Sequence, residues 1–269
     1  MPAILCPRCH KLISSDAPQC IFCGQRRPGL WGLTGVLARW RARVDFSRLI
    51  VGLCVGLYLL ALISDPGAIL RPQGMMGLLA PSDRASFRFG MTGSVPIFGL
   101  GHWWTVITAI YLHGGLLHIF FNMMWIRQLG PLVEQLYGPL RLFVIYTVAG
   151  AVGFLLSAYM GHPYPLGASG SIFGLLAAAI AYGRRAGSSL FTRQFLQWAA
   201  ILFVFGLVFP GVDNWAHAGG FIGGYGTAYL FARQQRGEGL GSYLAAALCV
   251  AATLGAFALQ VRAVLGLPF

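Results

Sequence analysis

The sequence predicts an all-α polytopic membrane protein preceded by a small metal-binding module, and three observations carry that prediction. The 269-residue chain is 57% hydrophobic and only 10% charged, with a mean hydropathy of +0.70. Soluble domains carry about 25% charged residues, so this composition excludes an ordinary water-exposed globule. The apolar residues gather into seven runs, each near the length that a bilayer core of about 30 Å requires. Ahead of all of them, within residues 1–27, stand two cysteine pairs, Cys6-x2-Cys9 and Cys20-x2-Cys23.

The two pairs are separated by ten residues. Four thiolates so arranged can surround one Zn2+ tetrahedrally, and the metal supplies folding energy that so short a segment lacks. The competing reading, two disulfides, needs an oxidising compartment. A cytoplasmic N-terminus disfavours it, and such placement is expected because no apolar run begins before Leu49, too late for a signal peptide. His10 follows Cys9 and is expected to be a bystander. A closed four-thiolate site leaves no open coordination position, so the zinc-ribbon-like module 1–27 reads as structural or as a docking site for a cytoplasmic protein partner.

Residues 28–46 form a basic linker in which Trp31, Leu33, Val36, Leu37 and Trp40 are interleaved with arginines. Their spacing fits an amphipathic helix on the inner leaflet and fits a plain basic linker equally well. The net charge of +12, from nineteen Lys+Arg against seven Asp+Glu, follows the same logic of position. Its basic residues cluster before the first long apolar run and in short loops between later ones. That is the distribution positive-inside orientation produces, so nucleic-acid binding is disfavoured.

The expected spans are 47–64, 115–136, 141–160, 169–183, 193–210, 214–232 and 241–262. With the N-terminus inside, the loops after the second, fourth and sixth spans should be cytoplasmic. In or beside them lie Arg127 and Arg141, then Arg184, Arg185 and Arg193, then Arg233 and Arg236. The opposing short loops, 161–165 and 210–213, contain neither Lys nor Arg. Seven spans place the C-terminus outside. Residues 65–114 form a long Gly- and Pro-rich loop expected at the membrane interface.

Polar residues inside spans are costly and point to function. His118 and Asn122 lie in the second span, Ser169 opens the fourth, and His217 lies near the start of the sixth. These three helices run in the same direction, so all four side chains fall at comparable depth. The fourth span is too short to cross the core. Ser169 is therefore expected below the outer surface, on a water-accessible cavity facing outward. Gly170 and Gly174 on one helix and Gly220 and Gly224 on another form small-xxx-small pairs that let backbones approach, bringing His217 to the Ser169 hydroxyl. A helix N-terminus at Ser169 also favours a developing oxyanion, and Asn122 and His118, four apart on one face, can add donors. By itself a serine beside glycines in a membrane helix is a packing residue, and it is the combination that points to nucleophilic catalysis.

Gly167-Ala168-Ser169-Gly170-Ser171-Ile172-Phe173-Gly174, the His118-x3-Asn122 pair and Ala216-His217-x2-Gly220-x3-Gly224 together resemble the motif set of the rhomboid intramembrane serine proteases, over about residues 47–232. The resemblance implies a six-helix protease core, 47–232, with residues 233–269 adding one transmembrane helix. It implies Ser169 as nucleophile, His217 as general base, and Asn122, His118 and the Ser169 amide as oxyanion hole, with Gly167 shaping it. It also implies Glu134, followed by Gly138, as a structural carboxylate. No catalytic cofactor is implied. Its expected partners are the lipid bilayer and single-span transmembrane substrates, and its expected place a bacterial cell membrane. Two departures stand out: Trp104-Thr105 where many members have Trp-Arg, and Phe173 where some have Tyr.

Other polar residues have plainer readings. Asp213 precedes a helix and reads as an N-cap rather than a third catalytic member. His113 reads as a structural hydrogen-bonding residue, His102 and His162 as solvated loop residues, and Cys54 and Cys249 as apolar fillers. The rival to proteolysis is a catalytically silent relative that binds transmembrane helices as a chaperone or adaptor, whose expected mark is loss of the serine or histidine. A transporter is disfavoured by the lack of paired intramembrane charges.

Overall fold

The computed structural model describes residues 3–6, 9, 11–28, 45–69, 77–232 and 238–266. The chain divides into two compact units, Met1–Asp45 and Phe46–Phe269.

The first unit is built on an antiparallel hairpin of β1 (Ala3–Leu5) and β2 (Leu12–Ser14), in the register Ala3↔Ser14, Ile4↔Ile13, Leu5↔Leu12. Alternation turns Ile13 inward, where it packs with Cys6 and Cys20 beside Ile4, Cys9 and Cys23. A second turn returns the chain through Cys20 N–H to Gln25 O (2.8 Å) and Gly24 N–H to Cys20 O (2.9 Å). A core this small cannot hold a fold by apolar burial alone. His10 and the linker over 29–44 lie outside the described residues.

Among its described residues the second unit is mainly helical. It opens with α1 (Phe46–Ser64), and the first loop then carries α2 (Pro66–Ile69), α3 (Asp83–Arg88), a π-helical turn (Val95–Gly99) and α4 (Thr105–Thr108), which runs on as a 3-10 turn, Ala109–Tyr111. The remaining helices are α5 (Leu116–Tyr137), α6 (Pro139–Tyr159), α7 (Ser169–Arg185), α8 (Ser189–Val208), α9 (Asn214–Ala232) and α10 (Leu240–Val264). All seven long helices coincide with the runs read from hydropathy, and the loop read as irregular holds short helices instead. Ser82 caps α3 by accepting the Ala85 N–H at 3.1 Å. The segment Thr105–Tyr111 meets α5 at 91°, as a stretch lying along a membrane surface would.

Helices α1, α6, α8 and α10 are each long and apolar enough to cross a bilayer, and a fifth span results if the bent pair ending in α5 counts as one. α7, with 17 residues, is short, and the glycines and polar residues of α9 lower its hydropathy. Both are central. α7 is buried at almost every position, and α9 makes its most extensive contacts with α6 and α7. Helices shielded by protein have no need of a lipid-facing apolar surface.

Three helix backbones touch at this centre. A Cβ on Gly220 would stand 2.6 Å from the carbonyl carbon of Gly170, and one on Gly224 would stand 2.7 Å from that of Gly174. On the other flank a Cβ on Gly153 would stand 2.6 Å from Ala216 O. The paired glycines thus face each other, as their four-residue spacing predicts.

Candidate active site

Ser169 is the first residue of α7, and its side chain is half-buried. As the first helical residue its N–H has no partner within the helix, so it adds a donor beside its own hydroxyl. His217 stands in the first turn of α9, 4% exposed. The glycine contact between α7 and α9 closes the gap, and His217 Nε2 lies 2.9 Å from Ser169 Oγ. The imidazole is clamped on a second side by Phe173, stacked at 4.2 Å between centroids and 16° between planes. Phenylalanine serves here without a hydroxyl because stacking uses only the ring face.

A third contact to the imidazole comes from a residue that sequence reasoning passed over. Asn214 Oδ1 lies 3.0 Å from His217 Nδ1, and Asn214 Nδ2 donates to Phe203 O on α8 at 3.3 Å. The amide nitrogen is thereby committed to a carbonyl, which turns Oδ1 toward the ring as acceptor. An acceptor at Nδ1 selects the tautomer with the proton on Nδ1, leaving the Nε2 lone pair facing the serine hydroxyl. The signal in the sequence was a polar residue three before the histidine, on one helical face. Asp213 does what its position predicts: Oδ1 accepts the Ala216 N–H at 3.0 Å, and Oδ2 accepts the Ser157 hydroxyl.

On the opposite wall, His118 Nδ1 accepts the Gly114 N–H at 3.3 Å, so Nε2 carries the proton and is the donor. That nitrogen points at Gly167, where an added Cβ would lie 2.7 Å from it. Gly167 has φ +134°, and its own N–H donates to Ala109 O at 3.0 Å. What Gly167 gives the site is room for the His118 ring, in a backbone conformation that a side chain would strain. Asn122 is buried, and Nδ2 donates to His118 O at 2.8 Å, leaving one amide hydrogen uncommitted. Among the described residues Asn122 makes no hydrogen bond to Ser169.

The plainer readings fare unevenly. His113 is 2% exposed and meets His118 edge-on at 5.1 Å, packed behind the ring that lines the site. His102 is partly exposed and stacks one ring face on Trp104 at 4.7 Å, and burial moves its pKa downward. Glu134 accepts the Gly138 N–H on its backbone carbonyl, and the Glu238 carboxylate also lies against Gly138. Beside His217 an open apolar groove of about 450 Å³ runs between α8 and α9, with Phe173, Leu196, Phe203 and Phe221 among its walls.

In the first unit the Sγ atoms of Cys6, Cys9, Cys20 and Cys23 all lie within 4.8 Å of one another. Cys6 and Cys23 are 3.6 Å apart, as are Cys9 and Cys20. Zinc–sulfur bonds of about 2.3 Å at tetrahedral angles require sulfurs about 3.8 Å apart, whereas a disulfide requires about 2.05 Å. The donor set and spacing fit a four-thiolate metal site. Nearby, the Ser14 hydroxyl donates to Asp16 and holds that carboxyl below its usual pKa.

Residues 100–234, half of the chain, match the family model described as the Rhomboid domain. The chain belongs to the rhomboid family. Similar proteins include the rhomboid protease GluP of Bacillus subtilis (strain 168), 34% identical over 160 residues that make up 58% of this chain and 31% of that protein. RHOMBOID-like protein 1 of Arabidopsis thaliana is 29% identical over 167 residues, 60% of this chain and 43% of that protein. The inactive RHOMBOID-like protein 8 of Arabidopsis thaliana is 34% identical over 124 residues, 44% of this chain and 35% of that protein. In each case the match spans less than half of the relative's length. Rhomboid membership and the apolar helices together make this an integral membrane protein. Most rhomboids are intramembrane serine proteases, and they need no catalytic cofactor.

Proposed function

We propose that this rhomboid is an active intramembrane serine endopeptidase that cleaves transmembrane proteins within or near the membrane. The observation that carries the reading is the 2.9 Å contact between Ser169 Oγ and His217 Nε2, with Nδ1 already held by Asn214. In this reading Nε2 takes the hydroxyl proton as Ser169 Oγ attacks the scissile carbonyl carbon. The carbonyl π electrons move onto oxygen, and the resulting oxyanion meets the Ser169 N–H, His118 Nε2–H and the remaining Asn122 amide hydrogen. Collapse breaks the C–N bond, with the His217 proton passing to the leaving amine. Water, deprotonated by the same nitrogen, then releases the acyl group and restores Ser169. The serine's position at the start of a short helix supports an aqueous cavity on the outer side, with the N-terminus in the cytoplasm and the C-terminus outside.

Cleavage of a tagged single-span substrate in liposomes tests the reading. Ser169→Ala and His217→Ala should each lower turnover by at least about 10³-fold with the fold retained. Undiminished turnover in Ser169→Ala sinks the proposal. The inactive relative makes a helix-binding adaptor the second reading. Labelling by a small fluorophosphonate that is lost in Ser169→Ala separates the two.

For the first unit we propose one structural Zn2+ held by Cys6, Cys9, Cys20 and Cys23, giving the hairpin the folding energy its core lacks. Metal analysis should return one zinc per chain and none for Cys6→Ser/Cys9→Ser, with proteolysis by the second unit unchanged. Docking to a cytoplasmic protein remains the module's proposed use.

A further inference from the structure

The helix beyond the six-helix core, α10, carries a buried glutamine that the mechanism above does not use. Gln260 is 3% exposed. Its side chain is fully committed to the first loop. Nε2 donates to Phe87 O and to Arg88 O, both at 3.0 Å, and Oε1 accepts the Trp104 indole N–H at 2.9 Å. Phe87 and Arg88 are the last two residues of α3, whose terminal carbonyls need partners from outside the helix. One turn earlier on the same face, Phe257 packs its ring 6.0 Å from that of Tyr111, at the end of the segment that follows Trp104.

The first loop in turn touches the chain leading into the nucleophile at three places. Ser94 N–H donates to His162 O at 2.8 Å, Thr92 N–H to Pro165 O at 3.3 Å, and Ala109 O accepts the Gly167 N–H at 3.0 Å. Gly167 is two residues from Ser169 and sets the His118 ring. Through these bonds and the stretch of first-loop chain between residues 87 and 109, Gln260 is linked to the oxyanion side of the site.

We infer that Gln260 is a positioning residue for the catalytic loop, and that α10 is a strut without which residues 161–168 no longer hold Gly167 and His118 in register. The kinetic consequence rests on the protease reading, while the structural one stands without it. The departure at Trp104-Thr105 fits this inference, because the loop is anchored through the indole of Trp104 to α10 and through Thr105 Oγ1 to Thr92 Oγ1 at 2.9 Å.

The test compares wild type, Gln260→Leu, Trp104→Phe and the double variant in two measurements. One is hydrogen exchange of residues 87–93 and 161–168. The other is kcat and KM on a single-span substrate, with melting temperature recorded alongside. Gln260→Leu keeps the volume and removes all three bonds. It should speed exchange in both segments and lower kcat about tenfold at unchanged KM. Trp104→Phe should act in the same direction but less, and the double variant should be no worse than Gln260→Leu. Wild-type exchange over 161–168 in Gln260→Leu overturns the inference, whatever the melting temperature does. Absence of turnover in the wild type would instead defeat the protease reading, with the exchange measurement still deciding the role of α10.

Discussion

Helices α8 and α10 lie on the outside of the same bundle and are alike in burial, 17% and 22% over their spanning windows, yet they are attached in opposite ways. α10 is pinned at both ends. Near its start Ser242 accepts Arg141 Nε at 3.0 Å, and Glu238 accepts the Arg141 N–H at 2.9 Å. Near its end Gln260 makes its three bonds. α8 is held mainly by aromatic contacts, Trp198 with Trp125 at 5.5 Å and Phe191 with Tyr182 at 6.4 Å, and by the amide bond from Asn214 to Phe203 O. Between α8 and α9 the groove beside His217 stays open. Apolar surface attaches a helix weakly in lipid, because the tails compete for it, and buried polar pairs fix it. The difference teaches that one side of this bundle is built to stay put and the other can yield.

Breaking the contact between α7 and α9 should have the largest effect. Gly220→Val forces side-chain atoms into the Gly170 backbone. It should separate α7 from α9, cost at least about 3 kcal/mol in detergent unfolding, and abolish fluorophosphonate labelling of Ser169. Next comes the fixed side. Arg141→Met removes the bond to Ser242 and the cation beside Glu238, leaving the backbone N–H bond to that carboxylate, and should cost about 2–4 kcal/mol by the same unfolding measurement, an outcome below about 1 kcal/mol breaking the comparison. On the yielding side, Ala200→Phe fills the groove. It should cut turnover of a transmembrane substrate about tenfold while the small probe still labels Ser169 at the wild-type rate. The smallest change is expected on the lipid face of α8. Leu207→Ala and Val208→Ala, at positions 68% and 69% exposed, should each shift stability by less than about 0.5 kcal/mol.

A further variant sharpens the role of the amide that joins α8 to the site. Asn214→Ala removes both the Nδ1 acceptor and the bond to Phe203 O. It should lower kcat more than it raises KM, which separates imidazole orientation from substrate binding.

What the sequence made legible divides along the same physical line. The long helices could be read because hydropathy is a local property, and the facing of Gly170 and Gly174 with Gly220 and Gly224 because small residues four apart declare a contact face. Ser169, His118 and His217 could be read because polar side chains in apolar runs demand a reason. Asn214 was hidden because its decisive partner, the Phe203 carbonyl, is a backbone atom common to every residue. Gln260 and Arg141 were hidden because their partners lie 156 and 101 residues away. No spacing rule reaches so far, and each looked like an isolated polar residue near a helix end.

The bond between Gln260 and Trp104 also carries a consequence in time. Domains are synthesised from the N-terminus at about 5–20 residues per second. Ser169 and His217 therefore leave the ribosome, and can meet, several seconds before Gln260 emerges. During that interval the first loop lacks its anchor. The nascent chain therefore carries Ser169 and His217 beside an unanchored first loop until α10 has entered the bilayer.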